Sequence, residues 1–283
     1  MDPFFGKGID KIIDGAAEGP IKTLNTTWDL IFGGYHNWVA KIQYKRELDL
    51  IAFKNSIEQK ITTIPTENLI EPQLSLLGPA IEASKFYISE NYVRELFANL
   101  IASSMDSRKS KNIHHSFVEI IKQMSSNDAK LFDHLSKQFV IPSVRYKTSV
   151  NHSGSGSSLS DAIIAKSPLT FEETEISLVN LNRVGLIDID IGFSAYTDES
   201  HYYPFNSPEM INEFYRRIEN KFSDSYKEIF DSLKSFTIFE IATANNVSVD
   251  TIYSKIQPMS VEIQKGKIEV TSFGHAFISC CLK

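Results

Sequence analysis

The stretch SENYVRELFANLIASSMD, residues Ser89–Asp106, decides the fold. Its apolar residues recur at steps of three and four, the spacing of one face of an α-helix. They are Val93, Leu96, Phe97, Leu100 and Ile101. Ser89 can cap the helix N-terminus, and Glu90 suits its first turn. The polar run Asp106–Lys111 then ends the helix near Met105, so the stretch predicts one buried helix of a helix-rich protein.

Five polar residues in and after this stretch form a candidate polar cluster: Asn99, Asp106, His114, His115 and Glu119. Asn99 lies within an apolar helix and needs a hydrogen-bond partner if it is buried. His115 and Glu119 are four residues apart and would share a helix face. Two ligands are only a fragment of a metal site, and no third follows at a recognisable spacing. We therefore favour structural roles: a hydrogen-bonded Asn99 and Asp106, and a polar helix start with a local His–Glu contact.

Composition bounds the function. The 283 residues are 42% hydrophobic and 23% charged, which suffices for two folded domains, and the net charge of −6 argues against a DNA-binding surface in bulk. The one basic run, Arg108, Lys109 and Lys111, reads as a solvated loop. Cys280 and Cys281 are the only cysteines. Adjacent cysteines rarely bridge to each other and match no zinc spacing, so we expect buried thiols in a reducing cytosol and no metal or other cofactor.

The N-terminal sixty residues carry an apolar stripe at helical spacing, interrupted by glycine and proline. We define its most apolar members as the N-terminal face: Phe4, Phe5, Ile13, Leu24, Trp28, Ile31 and Trp38. Such a face can pack on the protein, mediate self-association, or lie in a membrane interface. Acidic residues on the polar side argue against anionic lipid, so packing or oligomerisation is favoured. No window of 18 apolar residues is present, and no transmembrane helix is expected.

The second half mixes helices with short strands. We expect a capped helix from Ser125, an irregular segment over Val140–Ser158, and a helix opened by a capping box at Thr170 and Glu173. LIDIDI alternates apolar and acidic residues and predicts a strand, with HYYPF as its partner. The end predicts a turn at Gly266, a short strand through Val270, and a last helix from about Ser272.

This order resembles a winged helix. The fold class is accordingly mainly α (α+β), with an N-terminal helical domain followed by a winged-helix-like C-terminal domain that carries a small antiparallel sheet. We place amphipathic helices at 1–61, a helical region at 62–124, and the winged-helix-like domain at 125–283, with an insertion around 193–264. The expected second helix of that domain carries Glu172, Glu173 and Glu175. These carboxylates would be repelled by phosphates in the usual docking mode.

Four segments are similar to the bacterial abortive-infection alpha family, a group linked with defence against phage. They are VRELFANLIASSMD, HHSFVEIIKQMSSNDAKLFDHL, LNRVGLIDI and VTSFGHAFISCC. The resemblance runs from about Thr62 to the C-terminus and is most specific over Arg94–Leu135. It implies a role in defence. It names no nucleophile, base or metal ligand, and no catalytic residue is carried over.

The resemblance and the N-terminal face together favour a phage-defence protein that acts by protein contacts and through membrane perturbation by the N-terminal helices, without catalysis of its own. Its partners would be a phage or host protein trigger, a second copy of the chain, and the surface of the inner membrane. We expect it in the cytoplasm or peripheral to that membrane. A nucleic-acid-binding regulator using the winged helix is the alternative. A metal-dependent hydrolase using His114, His115, Glu119 and Asp106 ranks lower.

Overall fold

The structure is a computed structural model that describes residues 18–33, 44–150, 157–217, 232, 235–256 and 259–282. Its described residues divide into two compact units, each assembled from separate parts of the chain. Unit 1 comprises residues up to 138, residues 180–187 and residues from 270 onward. Unit 2 comprises residues 139–179 and 188–269. The domain bounds predicted at 61 and 124 stay a prediction.

Unit 1 is helical. Its α-helices are α1 (Glu18–Phe32), α2 (Tyr44–Thr62), α3 (Leu74–Ser84), α4 (Asn91–Ser104), α5 (Ser116–Lys122), α6 (Ser126–Ser136) and α11 (Ser272–Phe277). Short 3-10 helices lie at Thr66–Asn68 and Ser110–Asn112, and a π-helical turn, Ile278–Leu282, follows α11. Unit 1 also contains the last residues of α7, Phe171–Arg183.

Helix α4 lies at the centre of unit 1 and contacts α2, α3, α5, α6 and the C-terminal π-helical turn. The predicted apolar stripe is buried, and so are Ala98 and Ala102 between its members. A helix that is apolar on nearly all sides belongs in a protein interior. The predicted end near Met105 is confirmed. The predicted Ser89 cap is wrong, because the N-cap position is Glu90, which makes no side-chain capping bond.

The N-terminal face is only partly within the described residues. Leu24 and Trp28 are buried at 0% and 1% exposure. The Trp28 ring lies 4.5 Å from that of Phe32 and 5.7 Å from that of Phe53. Both side chains are therefore occupied in packing in this structure. Ile31 is half-buried. The other members, Phe4, Phe5, Ile13 and Trp38, lie outside the described residues.

The C-terminal helix α11 closes the core beside α5 and α6. The Phe277 ring lies 5.2 Å from that of Phe117 and 5.9 Å from that of Phe132, both edge-to-face. Gly274 is required at the start of this helix, because a Cβ there would lie 2.1 Å from the carbonyl oxygen of Leu186. The predicted last helix is thus confirmed and is tied to its neighbours by close contacts.

Unit 2 is built on a four-stranded antiparallel sheet with the order β2-β1-β4-β3. The strands are β1 (Pro142–Val150), β2 (Ile163–Ile164), β3 (Ile187–Ile191) and β4 (Met259–Val270). The predicted irregular segment was wrong, because it contains β1, which pairs with β4 along its whole length from Pro142↔Lys267 to Val150↔Met259. The strand could have been recognised from alternate residues that are buried in the structure, namely Val144, Tyr146 and Thr148.

Two further expectations about the sheet were wrong. Gly266 is not in a turn but inside β4, where a Cβ would lie 2.1 Å from the carbonyl oxygen of Asp190. HYYPF is not a strand but part of a 3-10 helix, Glu199–Asn206. Its Tyr202 is buried and donates a hydrogen bond of 2.8 Å to the Gly266 carbonyl. The segment therefore packs against the sheet rather than extending it.

The remaining helices of unit 2 are α8 (208–217 in its described part), α9 (Ile238–Ala244) and α10 (Val249–Ile256). Phe214 on α8 stacks on Tyr146 at 3.8 Å between ring centroids, in the core of this unit. The α9–α10 pair was not predicted from the sequence, although Thr237 and Glu240 form the capping box that opens it. The mainly α class with a small antiparallel sheet is confirmed, and the winged-helix arrangement is not confirmed.

Candidate functional site

A partly enclosed cavity of about 140 Å³ lies where α2 and α4 both end in unit 1. Its lining residues are polar or charged with two exceptions, and we call it the cationic cavity. They are Lys60, Thr63, Ile64, Asn99, Ala102, Ser103, Asp106, Arg108 and Lys109. The structure thus brings together Asn99 and Asp106 from the candidate polar cluster and adds Lys60 and Ser103, which the sequence reading missed. Lys60 comes from a different helix, and only the tertiary structure reveals it.

The carboxylate of Asp106 is held by a forked set of hydrogen bonds from Arg108, two residues later. Its carboxylate accepts hydrogen bonds from Arg108 Nε at 2.9 Å, from Nη2 at 2.6 Å, and from the backbone N–H of Arg108 at 3.0 Å. The Asp106 side chain is 3% exposed. The Arg108 hydrogen bonds lower the pKa of Asp106 below its usual value, against the opposing effect of burial. Asp106 is therefore a fixed carboxylate, not a general acid poised near neutral pH.

Asn99 and Ser103 bind the chain's own C-terminal turn. Asn99 Nδ2 donates to the carbonyl oxygen of Cys281 and Ser103 Oγ donates to that of Cys280, each at 2.8 Å. The last carbonyl groups of a helical segment have no partner within the helix, and leaving them buried and unpaired is costly. Residues four apart share a helix face, so one face of α4 satisfies both groups. The predicted need of Asn99 for a partner is met by backbone.

The two cysteines of this turn are free and buried, as expected. Burial raises the pKa of the Cys280 thiol and raises that of Cys281 well above the usual range. Only the thiolate is a strong nucleophile. Both thiols are therefore held in the unreactive protonated form.

The histidines and Glu119 lie apart from the cationic cavity's lining. His114 Nδ1 accepts a 3.2 Å bond from the Ser116 backbone N–H at the start of α5, and its ring packs edge-on against Phe273 at 5.6 Å. His115 Nε2 lies 3.0 Å from Ser75 Oγ, and Glu119 pairs with Lys122 at 2.9 Å. The predicted polar helix start is present, but His115 bonds to Ser75 and Glu119 bonds to Lys122 in place of the predicted His–Glu contact. In the described ranges, no three His, Cys, Asp or Glu side chains lie close enough to hold a metal ion.

The chemistry of the cationic cavity is electrostatic. Three of its nine lining residues are cations and one is an anion. Arg108 is paired with that anion, Asp106, and Lys60 is paired with Glu95 at 2.8 Å. The carboxylate is fixed as an acceptor, and the amide and hydroxyl groups bind backbone. The charged groups Lys60, Asp106 and Arg108 are therefore held by ion pairs with one another or with Glu95.

No helix in the described part of the chain is long and apolar enough to cross a membrane. The protein is of a mainly α class, with a helical unit that contains a charged, partly enclosed cavity and a second unit built on a small antiparallel sheet. The sequence profile of the abortive infection alpha family matches residues 45–281, and the chain belongs to this family. No curated protein matches the chain. No solved structure matches it either. Family membership implies a role in abortive infection, which is defence against phage.

Replacing Asn99 by alanine should loosen the C-terminal turn. We expect the free energy of unfolding to fall by about 1–2 kcal/mol, because the Cys281 carbonyl loses its donor. The two thiols should also react faster with a thiol-labelling reagent in native buffer. Asn112→Ala is the control, because this exposed side chain makes only a 3.3 Å bond to Ser279 Oγ in the same turn. Equal labelling rates in the two variants would show that Asn99 does not hold the turn.

The Asp106–Arg108 fork should make stability depend on pH. The pKa of Asp106 is lower in the folded protein than in the unfolded chain, so its contribution is complete above about pH 4 and is lost as the pH falls through the folded value. Asp106→Asn should therefore be less stable than the wild type at pH 7, and the difference should shrink below about pH 4. Urea unfolding between pH 7 and pH 3 measures it. Asp133→Asn, which removes an exposed pair with Lys137, should show little difference at any pH.

Proposed function

We propose that this protein defends cells by binding another protein, and that it performs no reaction of its own. The observation that carries the proposal is an exposed apolar strip on α7: Ile176 is 70% exposed and Val179 is 46% exposed. The two side chains are three residues apart and share a helix face. Exposed apolar side chains that line a groove mark binding surfaces.

This strip lines an open groove of about 600 Å³ in unit 2, which we call the acidic groove. Its lining residues are Asp161, Glu172, Glu175, Ile176, Val179 and Arg217. Arg217 is neutralised by Glu175 at 2.8 Å and by Glu213 at 3.5 Å. The Glu172 side chain is 69% exposed and lies 3.8 Å from Arg217, and Asp161 is exposed. The groove therefore presents negative charge around apolar side chains.

The complementary partner is a helical segment of another protein that carries leucine-like side chains between lysines and arginines. An amphipathic helix in a groove uses apolar anchors for affinity and charged neighbours for orientation. The absence of catalysis in this proposal is supported by the roles of the polar residues. Asn99 and Ser103 bind backbone, and His114 accepts a hydrogen bond from the backbone N–H of Ser116.

Changing the acidic groove should abolish defence without unfolding the chain. We expect Glu172→Lys/Ile176→Ser to restore phage plating to the level of cells that lack the gene, with an unchanged melting temperature, because both side chains are mostly exposed. Glu82→Lys/Phe86→Ser is the matched control. It makes the same charge change beside an equally exposed aromatic residue in unit 1, where Phe86 is 80% exposed, and it should protect like the wild type. Full protection by the groove variant would refute the proposal.

For the effector step we propose membrane perturbation through the N-terminal segment that precedes α1. The support is the apolar character of Phe4, Phe5 and Ile13 in the sequence. Within α1, Leu24 and Trp28 are already occupied by core packing. A deletion that tests this step must therefore end before Glu18, the first residue of α1.

We expect deletion of residues 1–17 to abolish protection and to keep the chain out of the membrane fraction of infected cells. Its melting temperature should match that of the full chain. Deletion of residues 1–33 is the informative comparison, because it also removes buried Leu24 and Trp28 and should lower the melting temperature by several degrees. Protection that survives the shorter deletion excludes the membrane step.

A nucleic-acid regulator is the second candidate, and the α9–α10 pair is the observation in its favour. Two short helices joined by residues 245–248 resemble a helix-turn-helix, in which the second helix reads bases. Between Ser235 and Ile256 the chain has one lysine against Glu240 and Asp250. This balance lacks the positive charge that binding to phosphates requires. Absence of a gel shift at low salt would remove this candidate.

A further inference from the structure

Strand β3 lies at the end of its sheet. The strand order is β2-β1-β4-β3, so within the described residues no strand pairs with the outer side of β3. An edge strand presents backbone N–H and C=O groups that can pair with another chain. We call the outer side of residues 188–191 the open edge.

The hydrogen bonds to β4 determine which backbone groups of β3 point outward. The Gly192 N–H donates to the Lys265 carbonyl oxygen at 2.9 Å. At the other end of the strand, the Thr271 N–H donates to the Leu186 carbonyl oxygen at 3.1 Å. In an antiparallel pair, every second residue bonds to a given neighbour. The even positions of β3 therefore bond to β4, and the N–H and C=O groups of Ile189 point away from it.

Alternate side chains give the open edge its charge. Asp188 and Asp190 are two residues apart and share one face of the sheet, whereas Ile189 lies on the other face. Asp188 is exposed. Asp190 is half-buried and accepts a 2.6 Å hydrogen bond from the Ser194 hydroxyl, a neutral group that does not compensate the negative charge. A strand added at this edge would place alternate side chains beside two carboxylates.

The lysines on the same face of β4 have carboxylate partners of their own. One of them, Lys267, lies opposite Asp190 in the register set by these hydrogen bonds. Lys267 pairs with Glu269 at 2.6 Å, and Lys265 pairs with Glu199. The two aspartates therefore add negative charge that these lysines do not fully neutralise.

We propose that the open edge binds an extended segment of another protein by β-strand addition. The segment carries lysine or arginine opposite Asp188 and Asp190, and a β-branched residue between them that exchanges both backbone hydrogen bonds with Ile189. The backbone bonds supply affinity, and the charge pairs select the partner and the register. The inference does not depend on the acidic groove, and its failure would leave the proposed function untouched.

A second copy of the chain fits this edge less well. Two β3 strands that pair antiparallel about a two-fold axis, through their outward backbone groups, bring even positions opposite even positions. An aspartate of one copy then lies opposite an aspartate of the other, and like charges directly opposite each other destabilise a strand pair. The aspartates therefore oppose self-pairing and favour a cationic strand.

Fluorescence anisotropy of a labelled peptide with the full chain tests the proposal. The probe contains one lysine–valine–lysine block between threonines, and a control peptide has glutamate in place of each lysine. We expect saturable binding of the lysine peptide and none of the glutamate peptide. Absence of saturable binding of the lysine peptide up to millimolar concentrations, or equal binding of both peptides, overturns the proposal.

Two N-methylated versions of the lysine peptide separate backbone pairing from attraction between charges. Methylation at the valine removes the N–H that would bond to Ile189 and should weaken binding at least tenfold, which corresponds to about 1.4 kcal/mol. Methylation at the second lysine removes an N–H that points away from β3 and should change the affinity less than twofold. Equal weakening by the two methyl groups would show that no strand pairing occurs.

Variants of the chain place the peptide at the open edge. Ile189→Pro removes the outward N–H and keeps the bonds to β4, because proline is tolerated where a strand N–H faces solvent, and it should weaken binding at least tenfold. Asp188→Asn should weaken binding more than Asp250→Asn, which removes an exposed aspartate from α10. Equal effects of the two aspartate variants overturn the proposal, and they stand if Ile189→Pro fails to fold. A dimer of the wild-type chain that Ile189→Pro dissociates would assign the edge to a second copy instead.

Discussion

Unit 1 depends on the burial of α4 on nearly all sides. A helix in that position must present apolar side chains to several neighbours at once, and α4 does so with leucine and phenylalanine on one face and alanine on another. The C-terminal turn packs against it. The carbonyl groups of that turn cannot be buried without donors, so two polar residues of the same helix, Asn99 and Ser103, supply them.

The cationic cavity is a consequence of how α4 ends. The chain leaves the helix at Met105, and Asp106 forms an isolated bridge with Leu69 before Arg108 folds back on its carboxylate. This return places Arg108 and Lys109 beside the end of α2, where Lys60 lies. A loop that reads as a solvated basic run in the sequence is thereby partly enclosed. The hydrogen bonds between Arg108 and Asp106 that hold this loop in place also fix the position of the Arg108 guanidinium at the cavity.

Local patterns with a direct physical cause were predictable. The period of α4, the capping box at Thr170 and Glu173, and the strand Ile187–Ile191 all match the structure. Gly266 was misread because glycine marks a turn and a close approach of backbones equally well. Here the carbonyl of Asp190 excludes a side chain. The adjacent polar segment obscured the alternation of β1, although Val144, Tyr146 and Thr148 show it.

The sequence by itself determined that α4, α7 and α11 form, that Asn99 requires a partner, and that the two cysteines are buried thiols, because periodicity, capping and burial preference act over a few residues. Only the tertiary structure decided that the partner of Asn99 is the Cys281 carbonyl, 182 positions away, and that Lys60 joins Arg108 and Lys109 around one cavity. It also placed Leu24 and Trp28 in the core. Those outcomes depend on which helix faces contact each other. A periodic apolar pattern predicts that a face is buried, but it does not predict which element covers that face.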